Sequence, residues 1–238
     1  MAREHGHSKI EIERRLDGRA GATGHLRDVV YGGIDGAVTT FAIVAGVQGA
    51  GLSPGIIIAL GIANVLADGF SMAASNYSGT KADLDDRKRL RAVEARHIRD
   101  HPEGEREELR QILARRGLSG ATLEAAVEEV AADEEQWIAL MLTDEYGLAP
   151  VDPHPGRAAL ATFVAFLLAG IVPLVPFLLG LANPFLIATL ATGAVFFAIG
   201  TGKSRWSLTP WWISGLETLL IGSAAAAIAY LVGSLFQG

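Results

Sequence analysis

Residues 29–47 read VVYGGIDGAVTTFAIVAGV, an apolar or small run interrupted by one carboxylate, Asp35. A helix needs roughly 20 such residues to cross the hydrocarbon core of a bilayer, and this run qualifies. An ionised Asp near the centre of a spanning helix costs about 2.5–3.5 kcal/mol on insertion scales. Carboxylates kept at such positions ordinarily face a bundle interior or an aqueous path. The alternative is that Asp35 accepts a helix-packing hydrogen bond.

Four further segments are long and apolar enough to span: about 55–76, 158–181, 184–201 and 211–236. The expected fold is therefore an all-α membrane protein with five transmembrane helices. The distribution of charge agrees. Half of the 238 residues are hydrophobic and the net charge is −6. Yet from Ala158 to Gly238 the only charged residues are Lys203, Arg205 and Glu217. A globular domain spreads its charges; segregation of this kind indicates spans with one polar insert. The expected organisation is an N-terminal arm (1–28), spans one and two (29–80), a helical insert (81–157) and spans three to five (158–238).

Absence of cysteine excludes disulfides and thiolate metal sites. The small net charge gives no reason to expect a nucleic-acid partner. The polar N-terminus lacks the apolar core of a cleavable signal, so the first span is expected to drive insertion. Arg14, Arg15, Arg19 and Arg27 precede that span, and Lys203 and Arg205 follow the fourth. The loops GAGLSPG (49–55) and LGLAN (179–183) are uncharged. The positive-inside rule then puts the N-terminus and the insert in the cytoplasm and the C-terminus outside. Glycine and alanine in the first two spans imply tight helix packing. Pro173 and Pro176 are expected to kink or end the third.

The insert reads as three helices. KADLDDRKRLRAVEARHIRD (81–100) continues from the second span. PEGEREELRQILARRGL (102–118) carries Pro102 at its start and Gly117 as its stop. SGATLEAAVEEVAADEEQWIALMLTDEYGL (119–148) opens on Ser119 and ends at Gly147.

Several side chains could carry chemistry. Asn64, Asp68 and Met72 are spaced by four, so they stack on one face of the second span. Asp28 and Glu217 lie nearer span ends, where water or headgroups are expected to reach them. In the insert, Glu94 and His97 share a helix face, as do Glu105 and Glu108. If one helix ran through Pro102, these four and His101 would form a single stripe. Glu-x-x-His from a helix is a ligand pattern of carboxylate-bridged iron sites, and carboxylate with imidazole suits Fe(II), Mn(II) or Zn(II). Met141 and Glu145 are four apart, with Glu134 two turns upstream. The plain alternatives are that the charge run is a solvated face and that Met141 is core.

RDVVYGGIDGAVTTFAIVAGVQGAG (27–51), SMAASNY (71–77), MLTDEYGL (141–148) and AGIVPLVPFLLG (169–180) together resemble the vacuolar iron transporter family. The resemblance covers most of the chain after about residue 25. It implies a five-span homodimer with a cytoplasmic three-helix insert, exporting Fe(II), and often Mn(II), from the cytosol in exchange for protons. Zn(II) or Co(II) are the expected substitutes.

Residue by residue, the resemblance makes Asp35 an ion and proton site and Met72 a pathway ligand. It puts Asp28 near the cytoplasmic mouth, and Glu94, Glu105, Glu108, Glu145 and Met141 among the insert's ligands. His97 and Asn64 stand where plant members carry glutamates; Asp68, one turn from Asn64, is the candidate replacement in the membrane. Two other functional classes remain open, a ferroxidase-like enzyme and a metal-responsive scaffold without transport. Composition fits a bacterial protein of the cytoplasmic membrane.

Overall fold

The computed structural model describes residues 8–13, 25–149 and 152–236. Most of the N-terminal arm, with Arg14, Arg15 and Arg19, lies outside the described residues, as does the end of the chain. Among the described residues there is no strand. The chain divides into two compact units, Gly24–Gly79 with Pro155–Gly238, and Thr80–His154.

The first unit is built from five helices of spanning length and hydropathy. They are α1 (Leu26–Gly49), the first part of α2 (Pro54–Asp100), the segment Pro155–Leu178 that begins with α6 (Pro155–Gly170), α8 (Pro184–Lys203) and α9 (Trp211–Ser234). Pro173 and Pro176 end α6 as expected. The chain continues as one 3-10 turn, Val172–Leu174, and a single helical turn, α7 (Val175–Leu178). Proline has no N–H to donate, so the regular ladder cannot pass through.

Large apolar side chains such as Leu168, Leu190, Leu220 and Leu231 are exposed. In water this would be untenable, but in hydrocarbon it costs nothing. The interior is a cluster of Phe41, Val44, Ile57, Val65, Leu174 and Phe177. The first-span glycines do bring helices close: Gly32 and Gly36 meet α6, while Gly49 meets α9, where a Cβ would lie 2.5 Å from the Tyr230 carbonyl oxygen. A Cβ on Gly32 would lie 2.4 Å from the Thr162 carbonyl oxygen, and one on Gly36 2.3 Å from that of Phe166. In lipid, where apolar side chains gain little by leaving the solvent, such backbone approach is what holds helices together.

The second unit consists of the remainder of α2, α3 (Pro102–Arg115), α4 (Gly120–Ala131) and α5 (Glu134–Asp144). α2 does run unbroken into this unit. Helix α3 starts on Pro102 and stops before Gly117, whose φ of 95° only glycine adopts without strain. The third predicted helix is instead two, because Asp133 interrupts it. Its backbone is extended and its side chain accepts hydrogen bonds from the Glu135 and Gln136 amides at 3.1 and 3.3 Å. Asp133 is thus the N-cap of α5. Asp133→Ala is expected to cost about 1 kcal/mol, read as a lower thermal midpoint for the purified protein.

The core of this unit is Leu109, Ile112, Leu113, Val127, Trp137 and Met141. Ion pairs such as Arg110–Glu124 and Arg106–Glu128 link α3 to α4 at the surface and add little.

Candidate ion sites in the two units

In the membrane unit the polar residues of α1 and α2 pair in register. Helix α2 carries Asn64, Asp68, Met72 and Asn76 at steps of four. Helix α1 carries Asp28, Asp35 and Thr39 at steps of seven and four. Because the two helices are antiparallel neighbours joined by residues 50–53, the two series meet rung by rung. Asn76 donates to Asp28 at 3.0 Å. Asp68 stands opposite Asp35 in the register that the rungs on either side set. Asn64 donates to the Thr39 hydroxyl at 3.3 Å, which itself donates to the Asp35 carbonyl at 2.9 Å. From Asp28 to Thr39 is about 16 Å along the helix axis, roughly half the hydrocarbon thickness.

Asp28 departs from expectation. Its place near a span end suggested contact with water, but it is only 7% exposed. His25 and Asn76 enclose it, and Asn76 also donates to Thr162 of α6 at 2.7 Å. A cavity of about 230 Å³ opens here, lined by Arg27, Asp28, Tyr31, Met72, Ser75, Asn76 and Thr162. A carboxylate, a thioether and the Arg27 side chain therefore line one small, largely apolar cavity. Asp35, Asn64, Asp68 and Met72 are half-buried. Glu217 is exposed and pairs with Lys203 at 3.1 Å.

In the second unit no single helical stripe forms. Helix α2 ends at Asp100, and α3 begins at Pro102. The chain reverses there, and it is this packing that returns Glu105 to His97, at 3.5 Å. Glu94, Glu108 and Glu145 lie close enough to act on Glu105 as well. Glu94 is 1% exposed and Glu105 7%. Tyr146 donates to one Glu94 oxygen at 2.9 Å. The other Glu94 oxygen and one of Glu105 are buried with no hydrogen-bond partner.

An orphaned buried carboxylate oxygen ordinarily costs well over 1 kcal/mol. Two of them side by side fit a cation. Still, among the described residues no three Asp, Glu or His side chains are drawn together as a closed site. Met141 is fully buried within the apolar core and is one turn from Glu145. Glu134 is exposed in the first turn of α5, and His101, exposed, precedes α3.

The electrostatics follow from this crowding. Burial first, then the charges of Glu94 and Glu108, push the Glu105 carboxyl above its usual range. Glu145, at the exposed edge, is raised by partial burial and by Glu108 and Glu94. Burial and its hydrogen bond to Glu94 raise the Tyr146 hydroxyl. A carboxyl raised in the folded state holds its proton more tightly there than when unfolded. The metal-free protein should therefore gain stability as pH falls through the raised values toward about 4.5. Divalent-cation binding should weaken over the same window. Thermal midpoints measured against pH, with and without Mn(II), check both slopes.

Two participants escaped the sequence reading. Asn76 was legible, because it extends the Asn64–Asp68–Met72 series by one more step of four. Tyr146 had no such signal, since its partner Glu94 is 52 residues away.

The VIT family model matches residues 26–234, all five spans and the second unit together. The chain belongs to the VIT family. Among similar VIT proteins are "Vacuolar iron transporter 1" of Tulipa gesneriana, 31% identical over 91% of this chain and 89% of that one. Its namesake in Eucalyptus grandis is 31% identical over 89% and 86%. "Vacuolar iron transporter" of Toxoplasma gondii is 31% identical over 90% and 74%. VIT members are transporters rather than enzymes, which removes the ferroxidase-like reading. This VIT chain is an integral membrane protein and a metal transporter.

Proposed function

We propose that the chain exports Fe(II), and Mn(II) with it, from the cytosol in exchange for protons. The observation that carries the reading is the register of α1 against α2, fixed by Asn76–Asp28 and Asn64–Thr39, which places the carboxylates of Asp35 and Asp68 opposite each other on adjacent spans. One divalent cation neutralises such a pair, and so do two protons, so the pair can trade one for the other. Iron comes from the names of the relatives. Manganese comes from the oxygen-rich donor set, which suits it equally.

In this reading Glu94, His97, Glu105, Glu108 and Glu145 of the second unit, with Met141 beside them, collect the ion in the cytosol. Binding draws the carboxylates inward and satisfies the orphaned oxygens of Glu94 and Glu105. Asp28 and Met72 then receive the ion at the 230 Å³ cavity, and it passes along the α1–α2 rungs by Asp35, Asp68 and Asn64. Protonation of the carboxylate pair from the far side releases it. Zn(II) and Co(II) are the substitutes the same donors would take.

The second span, which carries Asn64, Asp68 and Met72, is covered incompletely by one chain, with only 28% of it buried. A second copy completing the path as a homodimer supplies the missing wall. The N-terminus and second unit face the cytosol and the C-terminus faces out. On composition we place the chain in a bacterial cytoplasmic membrane, although the relatives named above are eukaryotic and named for a vacuole.

The test is Fe(II) and Mn(II) uptake into liposomes containing a pH dye. Metal entry accompanied by opposite proton movement is the expected result. Metal bound by well-folded protein without flux would replace transport by a scaffold role.

A further inference from the structure

A second cavity in the membrane unit, about 490 Å³, lies between α1, α6 and α8, away from the polar rungs. Its walls are almost entirely hydrocarbon: Val29, Val30, Leu168, Val195 and Ile199 among them. Its mouth is different, formed by Lys203, Arg205 and Trp206. From Val195 to Lys203 is about 12 Å of helix, close to the ~15 Å of one hydrocarbon leaflet.

The charges at the mouth are unequal. Lys203 is paired with Glu217 at 3.1 Å. Arg205 has no hydrogen-bond or ion-pair partner among the described residues and is exposed. Trp206 is 67% exposed, as expected of an aromatic ring at headgroup depth. Leu26 opens the same mouth.

We propose that this groove holds an acyl chain of an anionic phospholipid, whose phosphate is bound by Arg205 with Lys203 beside it. An apolar slot one leaflet deep, ending at the interface in a guanidinium unpaired among the described residues, matches a lipid in both parts. Basic positions between spanning helices recognise anionic headgroups in this way. Arginine suits the task because its planar fork meets phosphate oxygens in pairs. The inference is independent of the transport reading, since it uses neither the carboxylates of α1 and α2 nor the second unit.

Gly202 supplies the decisive variant. It lines the groove, and a Cβ there meets nothing within 4 Å. Gly202→Leu should fold normally and fill the groove near its mouth. The experiment titrates the detergent-purified full chain with dioleoyl phosphatidylglycerol or dioleoyl phosphatidylcholine and follows the thermal midpoint. Native mass spectrometry counts the lipids retained.

Phosphatidylglycerol should raise the midpoint and remain bound, with phosphatidylcholine weaker. Arg205→Gln should weaken the phosphatidylglycerol response about tenfold, the worth of one charge-assisted hydrogen bond. Gly202→Leu should abolish it. Equal responses to both lipids, or an unchanged response in folded Gly202→Leu, would overturn the assignment. An equal shift with inorganic phosphate alone would reduce the site to a free-anion site. A change of oligomeric state in Gly202→Leu, without loss of lipid, would make the groove an interface between copies.

Discussion

Asp35→Asn is expected to stop metal-driven proton movement while leaving the protein folded. The substitution keeps the size and polarity of the side chain and removes only the charge and the titratable proton. In the proposed cycle Asp35 and Asp68 together balance one divalent cation. With asparagine at 35 the site carries half that charge, so the cation is bound less tightly and the proton has one fewer carboxylate to replace it on.

Loss of a group that merely orients a metal ligand commonly costs 10–100-fold, and removal of a ligand charge should cost at least as much. Initial rates of Mn(II) entry and of dye response in liposomes should both fall more than tenfold. Chromatographic behaviour should match the parent. Unchanged proton movement in this variant would exclude Asp35 as the exchange site. The hydrogen bond from Thr39 is to the Asp35 carbonyl and not to its carboxylate, so the exchange does not remove a packing contact.

Gly36→Val is expected to have the largest effect on the fold. A Cβ at 36 would stand 2.3 Å from a backbone oxygen of α6 and 2.9 Å from the Phe166 Cα. Neither can rotate away, so α1 and α6 must separate. Overpacking ordinarily costs about 1–3 kcal/mol. Here the cost should exceed that range, because displacement of α6 also pulls Thr162 from the Asn76–Asp28 group. The expected observation is aggregation or a much lower thermal midpoint in detergent. Gly202→Leu, which adds more atoms to open space, serves as the control and should match the parent's thermal midpoint in detergent without added lipid.

The two variants separate what each level of description supplies. Span number and position follow from hydropathy alone, because a bilayer imposes one length on any helix that crosses it. The helix ends at Pro102, Gly117 and Pro173 follow from local backbone chemistry, which needs no partner. The step-of-four series on α2 was equally local, and so were Asp35 and Met72 as unusual residues for their surroundings.

Other features depended on which helix lies beside which. The glycines of α1 signalled close approach, but only the packed structure assigned them to α6 and α9 rather than α2. Asp28 looked accessible by position and is buried because α2 and α6 bring Asn76 and Thr162 over it. The single stripe through Pro102 does not exist; Glu105 reaches His97 by chain reversal, and Tyr146 reaches Glu94 across 52 residues. Periodicity reports which residues share a face of one helix. It carries no information about the face opposite, and the Asp35–Asp68 pair, the Glu94–Glu105 cluster and the Arg205 groove are all made by two or more elements meeting.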